Sequence, residues 1–519
     1  MAEDERGAPR HPVNCERCRV HVLVAKNSLA HTVVQWTTAT AACAELAAGR
    51  GPRPLAPTCT HLRDSIEAAV RAGRLEVGEP AAQLTETLPI SGKPPGRESG
   101  TAIASKHVRE PGLRNRAVFI TVRRQLMHDV VRRARSIAPH LAASAEETER
   151  LGKLSEQSVK HIREVGVMRL LQPTEYGGHA AHPADFAQAV MEVAQACGST
   201  GWVCGVGGVH PWELALLDRR VQDEVWGGEP DTWIASPYMP SGIATPTDDG
   251  YLLKGHWQFS SGTDHCDWIF LGALVGDKNG NPVQPVQALH VVLPRSDYTI
   301  VEDSWDVIGL SGTGSKDIIV DGAYVPAYRT IDSQVVTEGR RAAERAGRTE
   351  TVYQLPFWTM FPLGITSAVI GIAEGALAAH LDHQRDRVSA AGARIREDAT
   401  TLYAISEAAA EIAASRAQLL DGISRIYDIA DVGKEISFAD RAAVRRNQVR
   451  AAWRAVAAVD EIFARSGGNV VRRDNTLQRF WRDAHVGLQH AIHVPGNAFQ
   501  ASALTQLGVE PTGALRAMI

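Results

Sequence analysis

The pattern of hydrophobic and polar positions divides the 519 residues into stretches with different secondary structure. In residues 1–79, apolar residues alternate along Arg19–Ala25 and His31–Trp36, which predicts two strands that pair with each other. Residues 37–49 and 60–73 each end at a glycine and read as helices. We therefore expect a small α/β module at this end of the chain.

A linker and a helical region follow this module. Residues 80–115 are rich in proline and glycine and poor in apolar residues, which is typical of an extended linker. In residues 118–138 apolar positions recur every three or four residues, and residues 155–165 and 186–197 continue this helical pattern. Residues 116–231 are therefore predicted to form a helical domain.

Residues 232–335 switch to short apolar runs separated by glycine, proline and aspartate, which predicts a β domain. Within it, Leu253–Leu271 reads as two strands joined by a tight Ser-Ser-Gly turn. The charged stretch Thr337–Glu350 is expected to form a solvated helix or loop, and an alternative is that it reaches a neighbouring subunit or the opening of a pocket.

Residues 336–519 return to a helical pattern and are predicted to form an antiparallel bundle. Residues 438–466 and 475–493 are expected to be two of its helices. A third helix has apolar residues at three-and-four spacing that predict its inward face: Leu402, Ile405, Ile412, Leu419, Ile423 and Ile426.

Charge and composition narrow the range of partners. The net charge of -4 is small, so nucleic acid and an anionic membrane are not expected as partners. No apolar run reaches the ~18 residues that a membrane span needs, and the first residues lack the apolar segment of a secretory signal. The odd number of cysteines, seven, favours reduced thiols and a cytoplasmic location.

Four of the cysteines lie in the N-terminal module and raise the question of a metal or iron–sulfur site. Cys15 and Cys18 form a C-x-x-C pair, whereas Cys43 and Cys59 are single, with His61 two residues beyond Cys59. Thiolate and imidazole are soft ligands, but one C-x-x-C is a weak signal and buried inert cysteine is the alternative. No metal ligands are predicted.

Four motifs carry the candidate chemistry. Residues 257–268 read W-x-F-S-S-G-x-D-H-x-D-W, a set of hydrogen-bonding groups on backbone that a glycine frees to approach a ligand. Residues 309–315 form a glycine-rich loop that lacks the Gly-Lys-Ser/Thr of a P-loop. Trp202 and His210 lie eight residues apart, and an Arg-Asp pair at 482–483 is followed by three histidines: His485, His490 and His493. Only the last two have a spacing suited to a shared metal, and no carboxylate partner is evident.

These motifs resemble the acyl-CoA dehydrogenase superfamily. The first is most similar to the oxygenase components of two-component flavin monooxygenases, of the p-hydroxyphenylacetate hydroxylase and secosteroid phenol hydroxylase type. The resemblance covers residues from about Arg116 onward. It implies an α+β fold with an N-terminal helical domain, a central β-barrel or sandwich and a C-terminal four-helix bundle, which also forms the interface of a homotetramer.

The resemblance implies hydroxylation of a small phenolic substrate by reduced FMN or FAD and O2, through a flavin C4a-hydroperoxide. A partner NAD(P)H-dependent flavin reductase would supply the reduced flavin, because no G-x-G-x-x-G follows a predicted strand. Dehydrogenases of the superfamily often carry a catalytic glutamate after the Arg-Asp pair, and residues 492–497 hold no carboxylate. The alternatives are an N- or S-oxygenase on the same fold and a flavin-retaining dehydrogenase, with the N-terminal module as a possible docking domain.

The resemblance also implies roles for individual residues. Ser261 would donate a hydrogen bond near flavin N5, His490 would orient or protonate the distal peroxide oxygen, and His210 would accept the phenol proton. Substrate-binding residues would be Trp202, Ser236 and His485. Cofactor-binding residues would come from the first two motifs: Trp257, Phe259, Ser260, Ser261, Gly262, Gly312, Thr313, Gly314 and Ser315.

Overall fold

The structure is a computed structural model that describes residues 11–26, 32–36, 60–75, 127–388, 392 and 394–519. The chain divides into two compact units, Met1–Val118 and Phe119–Ile519. The predicted helix at residues 37–49, the linker, Cys43 and Cys59 lie outside the described residues.

The first unit contains a three-stranded antiparallel sheet and a helix. Its strands are β1 (His11–Asn14), β2 (His21–Lys26) and β3 (Thr32–Trp36), in the order β1-β2-β3, and its helix is α1 (Thr60–Arg71). The predicted pairing of the second and third strands is confirmed, as is the helix, whereas β1 was missed. Alternate residues of β2 pack against α1, which explains why the pattern was readable: Val22, Val24, Leu62 and Ile66 are buried.

The second unit begins with helices whose ends follow ordinary capping rules. Ser155 caps the helix after it by accepting from Ser158 N at 3.2 Å, and Gly166 ends that helix with a φ of 82°. The helices predicted at 155–165 and 186–197 are confirmed. The bounds are α2 (Asp129–Ala143), α3 (Ala145–Leu151), α4 (Glu156–Val165), α5 (Pro183–Ala196), α6 (Gly198–Gly207), α7 (His210–Leu214) and α8 (Arg219–Trp226).

The β region forms one path of hydrogen-bonded strands, β11-β8-β7-β5-β6-β10-β9, with β4 paired to β7. The strands are β4 (Ile234–Ala235), β5 (Pro240–Pro246), β6 (Gly250–Ser260), β7 (Trp268–Val275), β8 (Ala288–Pro294), β9 (Thr299–Val301), β10 (Lys316–Pro326) and β11 (Thr330–Asp332). Both strands expected within Leu253–Leu271 are present, but they are not neighbours. The missed strand β5 lies between them, so the connection crosses two strand spacings of about 4.8 Å each instead of forming a tight turn.

Helices fill the rest of the chain. They are α9 (Ser333–Thr337), α10 (Arg340–Arg345), α11 (Phe357–Arg385), α12 (Ala399–Asp431), α13 (Phe438–Ala464), α14 (Thr476–Leu488), α15 (Pro495–Gln506) and α16 (Ala514–Ala517). The predicted helix at 438–466 is confirmed. The one at 475–493 ends early, at Leu488, because His490 caps a separate 3₁₀ turn at Ala491–His493.

Two expectations about exposure were wrong. On α12 the predicted inward face holds for Ile412, Leu419, Ile423 and Ile426, but Leu402 is 45% exposed because it lies in the first turn of the helix. The charged stretch at 337–350 is not simply solvated, since Ala342 and Ala343 of α10 are buried. Arg348 also donates to the Ala215 carbonyl at 3.0 Å, which ties the stretch to the helical core.

Helix α11 runs through the centre of the second unit. Among the described residues it alone has the length and composition to cross a membrane, and 89% of its most apolar window is buried inside the protein. It packs against α5, α6, α13 and α14. At the α6 contact Gly205 faces Gly364, where an added Cβ on either glycine would meet backbone atoms at 2.5 Å or less. This close approach places α6 at the centre of the unit.

We expect Gly242→Ala to destabilise the protein. The Trp257 indole is fully buried, donates to the Gly272 carbonyl at 2.7 Å and lies against Gly242 of β5. A Cβ at Gly242 would lie 2.1 Å from its Cζ2, so the ring must shift, at a cost of about 1–3 kcal/mol. Chemical denaturation measures the loss. Gly228→Ala is the control, because nothing lies within 4 Å of its Cβ position, and equal stability of the two variants would contradict the prediction.

Candidate active site

Three hydroxyl side chains join the end of β6 to the loop before β10. Ser261 Oγ lies 2.8 Å from Ser315 Oγ, which lies 2.8 Å from Thr313 Oγ1. Thr313 Oγ1 in turn lies 2.7 Å from the Leu310 carbonyl oxygen. At the other end, the Trp202 indole Nε1 lies 3.1 Å from Ser261 Oγ. All three side chains are buried, and we refer to Ser261, Ser315 and Thr313 as the hydroxyl row.

The direction of the hydrogen bonds in the hydroxyl row follows from its last member. A carbonyl oxygen only accepts, so the Thr313 hydroxyl must donate to Leu310. Thr313 Oγ1 then accepts from Ser315, and Ser315 Oγ accepts from Ser261. The Ser261 proton is therefore committed to Ser315, while Ser261 Oγ accepts from Trp202. Ser261 thus presents to any further partner an acceptor and not a donor.

The backbone around Ser261 is held in uncommon conformations. Phe259 has a φ of 68°, which is rare for a bulky side chain, and 66% of the residue is exposed. Gly262 has a φ of 73°, and a Cβ there would lie 2.7 Å from Val203 Cγ1 on α6. Gly262 N also donates to the Thr313 carbonyl at 2.8 Å. The glycine is therefore required by its conformation and by the contact with α6, and strained backbone of this kind often marks a functional site.

The glycine-rich loop is held in place by the Arg-Asp pair of α14. Asp483 is buried, and its Oδ1 accepts from Leu310 N at 2.6 Å. Burial raises the pKa of Asp483 to about 6, although the Leu310 bond opposes this shift. Arg482 donates to the Ile308 carbonyl and to Glu149 of α3, the latter at 2.5 Å. These bonds connect the loop to α14, and Arg482 connects α14 to α3.

His210 and Ser236 form a buried pair at the start of the β region. His210 Nδ1 lies 2.6 Å from the Ile234 carbonyl oxygen, so Nδ1 carries the ring proton and donates it. His210 Nε2 is then an acceptor, and the Ser236 hydroxyl donates to it at 2.7 Å. Burial lowers the pKa of His210 to about 4, which keeps the ring neutral at pH 7. Ser236 Oγ can therefore accept a proton while the Ser236 hydroxyl donates to the unprotonated Nε2 of His210.

An aromatic wall stands beside this pair and consists of Tyr238, Phe357 and Phe361. The Tyr238 ring lies 5.7 Å from the His210 ring, 5.4 Å from Phe357 and 5.1 Å from Phe361, and the two phenylalanines stack at 5.2 Å. His290 lies 4.7 Å from Tyr238. Rings packed in this way exclude water from the site that they border.

His490 lies at the start of the 3₁₀ turn after α14 and borders the site. Its Nδ1 accepts from Ile492 N at 3.2 Å, so the proton of the neutral ring lies on Nε2. Burial and the nearby charge of Arg445 lower the pKa of His490 to about 4. Arg445 donates to the Ile492 carbonyl at 2.7 Å and thereby holds the turn. His490 therefore presents a fixed N–H donor at neutral pH.

Trp202 brings these groups together. Its indole donates to Ser261 and its ring lies 5.9 Å from the His490 ring. The Phe361 ring centroid lies 6.2 Å from that of His490, and Phe361 belongs to the aromatic wall next to His210. Phe361 therefore links His490 to the wall. Residues named from the sequence thus line one continuous region of the molecule: Trp202, His210, Ser236, Ser261, Thr313, Ser315 and His490.

Other sequence-predicted site residues lie elsewhere. His485 bonds Asp460 Oδ1 at 2.8 Å and packs on Trp481, and no described contact joins it to the site. Trp257 is fully buried under β5 and serves the core. At Gly312 and Gly314 an added Cβ would meet Thr148 and Asp264, respectively, so both glycines are needed for packing of the loop.

Sequence reasoning missed several residues that shape the site. Phe357 and Phe361 occupy an apolar helix that carries no motif, and no motif marks Tyr238. Glu213 is buried and lies 2.5 Å from His290 Nδ1. A glutamate within the apolar run of α7 was the signal that could have identified this pair. Burial and the charge of Glu213 raise the pKa of Tyr238.

The groups present suit a flavin. A flavin ring needs backbone and hydroxyl partners along its edge, and the end of β6 offers these at Ser260–Gly262. Ser260 Oγ is buried and has no hydrogen-bond partner among the residues that the structure describes. Unpartnered buried hydroxyls are costly, and a polar ligand at this edge would satisfy them. Among the residues that the structure describes, no group of three or more histidine, cysteine or acidic side chains is placed to hold a metal ion.

Comparisons with known proteins agree with this architecture. Residues 123–214 match the family described as acyl-CoA dehydrogenase, N-terminal domain, and residues 363–495 match acyl-CoA dehydrogenase, C-terminal domain. The pigment production hydroxylase of Rhodococcus erythropolis is 52% identical over 394 residues, which cover 76% of this chain and 100% of that protein. The oxygenase subunit HsaA of a flavin-dependent monooxygenase from Mycobacterium tuberculosis is 41% identical over 378 residues, which cover 72% of this chain and 94% of that protein.

The chain belongs to the oxygenase components of flavin-dependent monooxygenases. The crystal structure of the M. tuberculosis HsaA monooxygenase matches the present structure with a TM-score of 0.70 and 39% identity, over 75% of this chain and 99% of that one. XiaF from Streptomyces, in complex with FADH2 and glycerol, matches with a TM-score of 0.69 and 25% identity, over 74% of this chain and 96% of that one. The fold, the flavin dependence and the monooxygenase class expected from the motifs are confirmed, and they are favoured over the dehydrogenase alternative.

The buried histidines predict that the oxygenase loses stability in acid. Burial lowers the pKa of His493, which bonds the Gly487 carbonyl at 3.1 Å, to about 3. Unfolded histidine titrates near pH 6.5, so between about pH 6.5 and 3 the unfolded chain binds a proton that the folded chain does not. The free energy of unfolding should therefore decrease as the pH is lowered through this range, by up to about 1.4 kcal/mol per pH unit for this residue.

Denaturant titrations across this pH range measure the slope. His493→Gln should have a shallower slope than the unmodified protein, because the group that takes up the proton is gone. Gln489→Ala, an exposed position next to the same turn, should leave the slope unchanged. An unaltered slope in His493→Gln would contradict the assignment.

Proposed function

We propose that the enzyme hydroxylates a phenolic substrate held between the His210–Ser236 pair and His490, with reduced flavin along the hydroxyl row. The observation that carries the proposal is that Trp202 links the row and His490, while Phe361 links His490 to the aromatic wall beside His210. When bound, reduced flavin supplies the electrons that activate O2 for transfer of one oxygen atom. Relatives named for phenolic substrates support this class, among them the resorcinol hydroxylase oxygenase component of a Rhizobium, at 31% identity.

Ser236 contacts the phenol in this proposal and His210 acts through it. The Ser236 hydroxyl donates to His210 Nε2, so its oxygen is free to accept the phenol proton. With a pKa near 4, His210 does not take a full proton from a resting phenol. It stabilises the partial transfer that accompanies attack by the ring, the stage at which general base catalysis matters. This assignment revises direct proton acceptance by His210.

His490 presents a hydrogen-bond donor, whereas Ser236 presents an acceptor. Its Nε2–H is a donor whose direction is set by the backbone bond at Nδ1. Arg445 and burial keep the ring neutral, so the donor does not become a mobile acid at neutral pH. We assign it the task of holding the reactive oxygen toward the substrate. The aromatic wall keeps water away from both groups.

Ser261 is assigned an acceptor role toward the flavin. Its own proton belongs to Ser315, so its oxygen can take a hydrogen bond from an N–H group. Reduced flavin carries a proton on N5, whereas oxidised flavin presents a bare acceptor there. The hydroxyl row therefore favours the reduced cofactor that a separate NAD(P)H-dependent reductase delivers.

We also propose that the enzyme acts as a cytoplasmic homotetramer. The relatives named as oxygenase subunits or components support a separate reductase partner. Exposed apolar side chains at Leu402 and Tyr403 of α12 support association of the bundle with further copies, since they are 45% and 68% exposed. The cysteines Cys197, Cys204 and Cys266 are buried without disulfides, which suits a reducing compartment.

The hydroxylase proposal predicts separate effects on two signals. The protein is mixed anaerobically with reduced FMN or FAD and then with O2, and a transient near-ultraviolet absorbance should precede that of oxidised flavin. With a phenol and a flavin reductase, a hydroxylated product should form. Ser236→Ala should lower product yield about 10²-fold or more, because the proton acceptor is lost, and should leave the transient in place.

The control for this experiment is His256→Asn. His256 is exposed and bonds Asp317 on the outer face of the sheet, so both signals should be unchanged. Direct appearance of oxidised flavin in the unmodified protein, without a transient or product, would reject the proposal. Full product yield from Ser236→Ala would instead show that hydroxylation of the phenol does not need Ser236, which would reject the role assigned to this residue.

The direction of the hydroxyl row gives a second prediction. In Thr313→Val the acceptor for the Ser315 hydroxyl is removed, so Ser315 can donate to Ser261. The Ser261 hydroxyl is then free to donate a hydrogen bond to the flavin. Affinity for oxidised flavin should then rise relative to reduced flavin by about tenfold, the value of one hydrogen bond. Anaerobic titrations of both redox states measure the ratio. Thr313→Ser retains the hydroxyl and should behave as the unmodified protein, and a ratio unchanged in Thr313→Val would disprove the assigned direction.

A further inference from the structure

Arg445 on α13 is a cation enclosed by the protein. Only 4% of the residue is exposed, and its guanidinium donates to the Ile492 carbonyl at 2.7 Å and to Gln448 Oε1 at 3.0 Å. Its Nε is buried and has no hydrogen-bond partner among the described residues. The side chain is therefore held in one place, although its hydrogen-bonding capacity is not used up.

The charge of Arg445 has no acidic partner in the part of the chain that the structure describes. No carboxylate there lies within 4.0 Å of its guanidinium, whereas Arg454 on the same helix pairs with Glu411 at 3.1 Å. Burial lowers the pKa of Arg445 to about 10. A buried cation without a counter-ion costs free energy, and its place beside the proposed site points to a use for the charge.

A chain of hydrogen bonds through Arg445 joins two sides of the proposed site. Gln448 accepts from Arg445 and donates from Nε2 to the Thr359 carbonyl at 2.9 Å. Thr359 lies in the first turn of α11, the helix that carries two of the three residues of the aromatic wall. At its other end the chain reaches Ile492, in the 3₁₀ turn that His490 caps. The helix of the aromatic wall is thereby connected to the turn of His490.

The charge of Arg445 acts on His490. Burial and then Arg445 lower the pKa of His490. The other rings against His490 are Trp202 of α6 and Phe361 of α11, and neither carries a titratable group. On the same turn, burial lowers the pKa of His493 to about 3, so that ring is also neutral at pH 7. Among these neighbours, Arg445 alone supplies a charge that opposes protonation of His490.

We propose that Arg445 and Gln448 are positioning residues that decide whether activated oxygen reaches the phenol or is lost as hydrogen peroxide. Their hydrogen bonds hold His490 at a fixed place relative to the aromatic wall, and the charge of Arg445 keeps the His490 ring from taking a proton. Both residues act through His490 and touch neither substrate nor flavin. The inference rests on the proposed function, because it takes His490 as the donor that holds the reactive oxygen.

A protonated His490 would favour the side reaction. In hydroxylation, O2 takes two electrons and two protons from reduced flavin, and one oxygen atom enters the phenol while the other leaves as water. In the side reaction the same two electrons and two protons convert O2 to hydrogen peroxide, and the phenol is unchanged. An imidazolium beside the reactive oxygen offers a mobile proton, whereas a neutral ring offers only a hydrogen bond. Arg445 therefore favours product over peroxide.

The role of the charge is tested in the flavin-free protein by NMR titration of the histidine rings between about pH 8 and 5, with His490→Gln to assign the His490 signals. In the unmodified protein the His490 ring should stay neutral over this range. In Arg445→Gln its titration midpoint should rise by about one pH unit, because a nearby positive charge is removed. Arg445→Lys retains the charge and should behave as the unmodified protein. The control is Arg450→Gln, an exposed arginine on the same helix, which should leave the midpoint unchanged.

The consequence for the reaction is measured with a phenol, a flavin reductase and O2, as the ratio of hydrogen peroxide to hydroxylated product at about pH 6 and pH 8. The unmodified protein should give the same low ratio at both. Arg445→Gln should give a ratio about threefold or more higher at the lower pH, because more of its His490 is then protonated. Gln448→Met retains the charge but loses the link to α11, so its ratio should rise equally at both pH values.

An unchanged His490 midpoint in Arg445→Gln, or a peroxide ratio in this variant that does not depend on pH, would overturn the role of the charge. A ratio in Gln448→Met equal to that of the unmodified protein would overturn the positioning role. If Arg445→Gln does not fold, Gln448→Glu decides, because its carboxylate cancels the charge of Arg445 and should raise the midpoint in the same way. Absence of hydroxylated product from the unmodified protein would reject the proposed function, and the titration, which needs neither flavin nor O2, would still decide the role of Arg445.

Discussion

The hydrogen bond from Leu310 N to the buried Asp483 carboxylate is the contact on which the site depends. It joins the loop before β10 to α14, two segments more than 170 residues apart in sequence. Leu310 has a φ of 52° and its carbonyl is the last acceptor of the hydroxyl row, so the loop conformation also sets the direction of that row. An unpaired peptide N–H buried here would cost free energy comparable to the whole contact, which makes the aspartate necessary.

Polar groups in this site are few, and each has its proton assigned by a backbone partner. The Ile234 carbonyl places the proton of His210 on Nδ1, and Ile492 N places that of His490 on Nε2. The two neutral imidazoles therefore present opposite polarities, one accepting through Ser236 and one donating. Burial reinforces this arrangement, because the charged form of either ring would lose its hydration, and at His210 this loss outweighs the opposing effect of the Glu213 charge. A monooxygenase benefits from such order, since stray protons and water divert activated oxygen to peroxide.

The aromatic wall borders the proposed reaction site. On one side lie the groups that we propose to handle protons and the flavin, and Phe357 also lines a cavity with cationic side chains. Tyr238, Phe357 and Phe361 contact one another through ring edges and faces, so they exclude water without hydrogen bonds. Charge is thereby kept away from the reacting atoms, where it would disturb the neutral histidines.

The sequence by itself determined the family, the order of helical and β regions and the motif residues Trp202, His210, Ser236, Ser261 and His490. These were readable because periodicity and short motifs are local properties. Only the tertiary structure decided that β5 separates β6 from β7, that His485 lies apart from the site and that Ser261 is hydrogen-bonded to Ser315. It also revealed the aromatic wall and the Asp483 contact. The physical reason is that strand order, buried contacts and the direction of a hydrogen bond depend on partners distant in sequence, and local patterns do not encode them.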